Sequence, residues 1–219
     1  MTKKKGSGRM YDYDLVSGKL NRWRNYLNTH SLPTWESIPD LGLYMDQVLT
    51  LLSGYLPFLP KKTGEEQIIT TAAINNYVRT KLMPPPDRKK YRRKHIAYLI
   101  MICSLKQSLS MSEIQQIIPS AMTEQDLRGA YNSFVEQYTG SVKFFVGLVE
   151  REMSQEFGLG MSEELNVNRF VFSTAVISNF SKILTMKLLD LQGCHFTPEA
   201  VADYDDEAAR TALNGKQIK

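Results

Sequence analysis

The fold is decided by the stretch AINNYVRTKLMPPPDRKKYRRKHIAYLIMICSLKQSLSMSEIQQII, which runs from residue 73 to residue 118. Its beginning belongs to a helix that we expect over Ile68–Leu82, with Thr70 or Thr71 as the N-cap. The apolar residues of this helix recur at the spacing of one helical face, which indicates that this face is buried. Three prolines at positions 84 to 86 end the helix, because proline lacks the amide hydrogen and disfavours a helical residue before it.

Two further helices are predicted after the prolines and a short basic segment, residues 87 to 94. Ile96–Leu109 is almost wholly apolar, so we expect a helix that is buried on most sides. Ser110 or Ser112 is suited to cap a short helix over Glu113–Ile118, which Pro119 ends.

The rest of the chain is also predicted to be helical. Apolar spacing predicts helices over Leu20–Asn28, Leu43–Leu52, Leu127–Tyr138, Val142–Phe157 and Asn168–Leu191, and an acidic helix from Pro198 to Leu213. No alternating strand pattern of useful length occurs in the sequence. The expected fold class is therefore all-α, with room for a short wing after the prolines.

Positive charge is concentrated in one segment. The formal net charge is only +4, yet residues 79–94 hold eight Lys and Arg against a single acid, Asp87. Without this segment the rest of the chain is net negative, with 19 basic and 22 acidic residues. A segment of this kind favours a polyanionic partner, although a solvated charge run would have the same composition.

The order of these features is typical of a winged helix-turn-helix. A short helix carries Asn75, Asn76 and Arg79 on its outer face, and these residue types can bond adenine and guanine in the major groove. A basic wing after the prolines would meet phosphates and set the register on the duplex. The predicted DNA-binding residues are Thr71, Asn75, Asn76, Arg79, Arg88, Lys89, Lys90, Tyr91, Arg92 and Arg93.

The same stretch resembles the DNA-binding domain of the MerR family. In that family a recognition helix is followed by Leu-Leu-Pro-Pro and a wing, and here these positions are taken by Ala73–Tyr77, Leu82-Met83-Pro84-Pro85 and Arg88–Arg93. The long helix and the Ser-capped helix that come next in the family correspond to Ile96–Leu109 and Ser112-Glu113-Ile114. The whole chain also resembles a poorly characterised Firmicutes family that includes YkrK, regarded as transcriptional regulators. The chain departs from the MerR pattern at Asn75 and Asn76, where that family usually has Arg and Tyr, which implies a different base sequence. A long Pro/Gly-bearing stretch also separates Leu43–Leu52 from the recognition helix, and no long coiled coil after the DNA domain is evident.

Three parts follow from these patterns. We expect a disordered basic tail over 1–19, a winged helix-turn-helix DNA-binding domain over 20–119, and a helical dimerisation or effector domain over 120–219. A dimer is expected because two-fold operators favour two-fold proteins, and Asn168–Leu191 is the candidate dimer helix. The aromatic residues that would form an effector pocket, or else simply core, are Phe134, Tyr138, Phe144, Phe145, Phe170, Phe172 and Phe180.

Other classes of protein are disfavoured by what the sequence lacks. No run approaches the ~18–20 apolar residues of a membrane helix, and no catalytic, phosphate-binding or metal-ligand motif occurs around His195, Cys194 or elsewhere. No enzyme activity, metal or cofactor is therefore expected. Cys103 and Cys194 form no C-x-x-C pair, which fits free thiols in a bacterial cytoplasm. Two alternatives remain open: a protein–protein interaction module, and a ligand-binding helical protein with a vestigial DNA-binding domain.

Overall fold

The computed structural model describes residues 11–58, 69–156 and 163–195. Its helices are α1 (Tyr13–Thr29), a 3-10 turn (Trp35–Ser37), α2 (Met45–Tyr55), α3 (Thr71–Arg79), α4 (Arg93–Leu105), α5 (Met111–Ile117), α6 (Glu124–Glu156) and α7 (Glu163–Asp190). Two isolated antiparallel bridges, Leu43 with Tyr91 and Asp87 with Lys90, are the extended pairings of this part of the chain. The predicted helical class is confirmed. Within the described ranges, no helix combines the length and apolar character needed to cross a bilayer.

Helix α4 forms the centre of the core. Every residue from His95 to Cys103 is buried, so the helix has no solvent face along most of its length. It packs against α2 on one side and α6 on another. Burial on most sides is what its nearly continuous apolar sequence predicts.

Local capping groups explain several helix ends. The Leu15 amide donates to Asp12 Oδ1 at 2.9 Å, so α1 begins at Tyr13 rather than at Leu20, and residues 13–19 are helical rather than part of a tail. Of the two serines considered for α5, Ser110 is the cap: it accepts from the Glu113 amide at 3.3 Å, and Glu113 accepts from the Ser110 amide at 2.6 Å. This reciprocal pair is a capping box.

Helix α6 is continuous where two helices were expected, because Gly140 and its neighbours do not interrupt it. Its first turns close the core. Leu127 and Tyr131 are buried there, and the Tyr131 hydroxyl donates to the Pro33 carbonyl at 2.8 Å. The core therefore extends past residue 120, where a domain boundary was expected.

The later turns of α6 pack against α1. The Trp23 and Phe145 rings meet edge to face at 5.5 Å, and Arg24 forms an ion pair with Glu150 at 3.7 Å. The chain divides into two compact units after Ser178, within α7. The acidic helix predicted over Pro198–Leu213 lies outside the described residues.

Candidate nucleic-acid interface

Helix α3 has one buried and one outward side. Thr70 caps it by accepting from the Ala73 amide at 3.2 Å, and Ile74 and Tyr77 anchor its inner side in the core. Thr71, Asn75 and Arg79 are exposed and four residues apart, so they form a stripe on the opposite side. Of the three residues expected on the outer face, Asn75 and Arg79 are therefore exposed there, together with Thr71.

Asn76 lies at the edge of that stripe and is already engaged by neighbouring groups. Its amide nitrogen donates to Met111 Sδ at 3.4 Å, and its oxygen accepts from Arg79 Nη2 at 2.6 Å. The side chain therefore links α3 to the start of α5 and orients Arg79. This differs from the expected arrangement, in which Asn75 and Asn76 face outward equally.

The chain returns to the core after α3. Lys81 has a positive φ of 58°, and the Leu82 amide donates to the Tyr77 carbonyl at 2.9 Å, which closes the helix C-terminus. Leu82 and Met83 are then fully buried. The three prolines that follow carry the chain back to the surface, so the next segment starts from a fixed point.

That segment is a two-residue hairpin, residues 87–90, here called the basic hairpin. The Asp87 amide donates to the Lys90 carbonyl at 3.0 Å, and the Lys90 amide donates to the Asp87 carbonyl at 2.8 Å. Arg88 and Lys89 at the tip have φ of 47° and 66°, the pair of positive angles found in a type I′ turn. This turn usually takes Asn-Gly, because other side chains are strained in the left-handed region. The side chains of Arg88, Lys89 and Lys90 are all exposed.

The base of the basic hairpin is anchored by Tyr91. Leu43 and Tyr91 exchange two backbone hydrogen bonds, both of 2.8 Å. The Tyr91 side chain is buried, and burial raises the pKa of its hydroxyl. The expected contact of Tyr91 with the DNA backbone is therefore corrected: Tyr91 packs in the core and holds the hairpin in place.

The His95 side chain joins the segments on either side of the basic hairpin by hydrogen bonds, a role that the sequence did not predict. It is fully buried, and its Nδ1 accepts from the Arg92 amide at 2.9 Å. Because Nδ1 accepts, the ring is neutral with its hydrogen on Nε2, which donates to the Pro85 carbonyl at 3.0 Å. Burial lowers the pKa of this imidazole. The only hint in the sequence is a hydrogen-bonding residue at the third position of α4.

The cations at the start of α4 divide into two groups. Arg93 is half-buried, and its Nε donates to the Ile38 carbonyl at 2.9 Å, which links α4 to the end of the 3-10 turn. Its contact with the phosphate backbone stays a prediction. Arg92 and Lys94 are exposed. They extend the positive surface of the basic hairpin onto the first turn of α4.

The exposed cations of this region are not neutralised by acids. Six exposed cations form no ion pair with any residue in the described part of the chain: Arg79, Arg88, Lys89, Lys90, Arg92 and Lys94. The ion pairs Arg24–Glu150 and Arg128–Glu36 do not involve any of these cations. A surface with positive charge that no acid neutralises is chemically suited to a polyanion.

The remaining predicted residues do not add to this surface. Phe134 and Tyr138 pack on the core, and Phe170 is half-buried. Phe144, Phe172 and Phe180 are exposed. Cys103 is a buried core residue, and burial raises the pKa of its thiol to about 12.

One comparison with known proteins covers the region just described. A family model described as a domain of unknown function, DUF1836, matches residues 33–134. This range nearly coincides with the buried core, which begins at Leu32 and ends at Tyr131. No curated protein and no solved structure matches the chain. The chain is therefore similar to this family over one folded core, which contains α2 to α5, the basic hairpin and the first turns of α6.

Proposed function

We propose that this protein is a cytoplasmic transcriptional regulator that binds double-stranded DNA in a sequence-dependent way. In this proposal α3 enters the major groove, and the basic hairpin lies along the phosphate backbone. Two observations carry the proposal: the exposed stripe of Thr71, Asn75 and Arg79 on α3, and the exposed cations, without ion pairs to the described residues, on the anchored turn that follows it in the chain.

The dimensions of α3 suit this role. An α-helix with its side chains is about 10–12 Å across, so it fits the major groove of B-DNA, which is about 12 Å wide. Asn75 is exposed, so its amide can bond adenine through two hydrogen bonds, and Arg79 can bond guanine in the same manner. The contact between Asn76 and Arg79 would restrict the guanidinium before it meets a base, which reduces the entropy lost on binding.

The basic hairpin suits the phosphate backbone for a different reason. Its tip is short, and its base is held by the Leu43–Tyr91 pairing and by His95. Arg88, Lys89 and Lys90 therefore extend from a fixed frame rather than from a mobile loop. Each phosphate neutralised by such a residue steepens the dependence of log K on log salt by about 0.9.

The resemblance to the MerR family supports the same arrangement, with α2 as the candidate first helix of the helix-turn-helix. The alternative partner for the basic hairpin is an acidic protein surface. The two differ in their readout, because only a DNA-reading protein selects a base sequence from a random pool.

The test begins with selection of bound duplexes from random DNA, followed by fluorescence anisotropy of the selected duplex across a salt series. A variant with Arg88, Lys89 and Lys90 all changed to Ala should flatten the salt slope by up to about 3. A matched control changes three exposed lysines elsewhere, Lys19, Lys143 and Lys182, to Ala and should keep the slope. No enriched sequence, together with equal binding by both triple variants, would reject the proposal.

A further inference from the structure

Tyr44 is an exposed aromatic residue that stands beside the basic hairpin. It precedes α2, and 56% of its surface is exposed. Its backbone amide donates to Gln47 Oε1 at 2.9 Å, which fixes it at the helix start. The preceding residue, Leu43, pairs with Tyr91 through two backbone hydrogen bonds. Tyr44 is therefore held on both sides, close to the point where the basic hairpin ends.

The side chain of Lys90 connects Tyr44 to the hairpin. Lys90 Nζ lies 5.6 Å from the centroid of the Tyr44 ring, a cation–π distance. The lysine stem passes against Gly42, since a Cβ added at Gly42 would lie 2.8 Å from Lys90 Cδ. The ammonium group of Lys90 and the exposed ring of Tyr44 thus lie together, and the lysine side chain packs against the segment 42–44.

We propose that the Tyr44 hydroxyl donates a hydrogen bond to the phosphate backbone of bound DNA, next to the charge of Lys90. This inference deepens the proposed function and rests on it. Tyrosine hydroxyls are regular partners of phosphate oxygens in protein–DNA complexes. With the ammonium 5.6 Å from the ring centroid, the two donors can serve one phosphate or two neighbouring ones.

The competing role for Tyr44 is purely supportive, in which the ring covers the lysine stem and nothing else. Tyr44→Phe separates the two roles, because it keeps the ring and its contact with Lys90 and removes only the hydroxyl. Tyr11→Phe is the matched control, since Tyr11 is another exposed tyrosine and lies before α1. Lys90→Ala supplies the comparison for loss of a charge.

The experiment measures the affinity of the full chain for its selected duplex across a salt series. We expect Tyr44→Phe to weaken binding about tenfold at every salt concentration, with an unchanged slope, because a neutral donor is lost. Lys90→Ala should weaken binding and flatten the slope by about 1. Tyr11→Phe should bind like the wild type, and thermal unfolding should be the same for both Phe variants.

The outcomes separate this inference from the proposed function. If the wild type selects a duplex and Tyr44→Phe binds it as tightly, the inference is overturned and the proposed function stands. If the wild type binds no duplex above background, both are overturned. A slope that changes with Tyr44→Phe would also overturn the inference, because the hydroxyl would then be acting through the position of Lys90 rather than on a phosphate.

Discussion

The tip of the basic hairpin combines charge with backbone strain, and the two can be measured separately. Arg88 and Lys89 both have positive φ, which costs a residue with a side chain about 1–2 kcal/mol. Changing Arg88 to Asn and Lys89 to Gly introduces the pair that favours this turn. Glycine loses more chain entropy on folding, which takes back about 0.5–1 kcal/mol. We therefore expect the double variant to gain about 1 kcal/mol of stability.

That gain should raise Tm by about 2–4 °C in a protein of this size. The same variant loses two charges that we place on phosphates, so the salt slope of DNA binding should fall by about 2. Thermal unfolding by circular dichroism and fluorescence anisotropy across a salt series measure the two effects on one preparation. Stability and DNA affinity should thus change in opposite directions.

The control variant exchanges the two residues, Arg88→Lys with Lys89→Arg, and keeps both the charge and the strain. It should match the wild type in Tm and in salt slope. An Asn-Gly variant with unchanged or lower Tm would show that the turn stores no strain. An unchanged salt slope in that variant would show that the tip does not meet phosphates.

Three further expectations follow from single side chains. The free energy of unfolding should fall as the pH drops below about 6.5. The reason is that His95 is then protonated in the unfolded chain but not in the folded protein, where its pKa is lowered. Urea titrations should show a smaller loss in a His95→Gln variant than in the wild type, and equal losses would contradict this. Asn75→Ala should cost about 1–3 kcal/mol of discrimination at one base pair, which selection of bound duplexes measures. Asn76→Ala should mainly destabilise the fold, by about 1 kcal/mol in thermal melts, because Asn76, unlike Asn75, donates a hydrogen bond from α3 to α5. The expected homodimer through α7 is tested by sedimentation equilibrium. Leu184→Glu, on the exposed apolar side of α7, should give a monomer, whereas the control Lys182→Glu should not. A wild type that is already monomeric would refute the dimer.

The helical class and the two-sided character of α3 could be predicted from the sequence because both follow from apolar spacing. Ile74 and Tyr77 lie on the buried side and Asn75 on the outer side, as a 3.6-residue period requires. The burial of α4 follows in the same way from its apolar sequence. Local patterns were sufficient for these elements because the apolar residues that each helix buries in the core are also the ones that set its sequence pattern.

The features set by distant contacts could not be predicted. A basic wing was expected after the prolines, but its two-residue turn was not, because Arg-Lys is an unfavourable pair for such a turn. The turn is held by Leu43, Tyr91 and His95. The continuity of α6 was missed for a related reason. Gly140 in a helix costs only about 1 kcal/mol, and packing of α6 on the core and on α1 outweighs that cost.

The bond from Tyr131 to Pro33 joins residues that are 98 positions apart. At a synthesis rate of about 5–20 residues per second, the ribosome needs roughly 5–20 s to proceed from one to the other. During that interval Trp35 lacks the aromatic ring that later covers it. The nascent chain therefore carries an incomplete core until the first turns of α6 have been made.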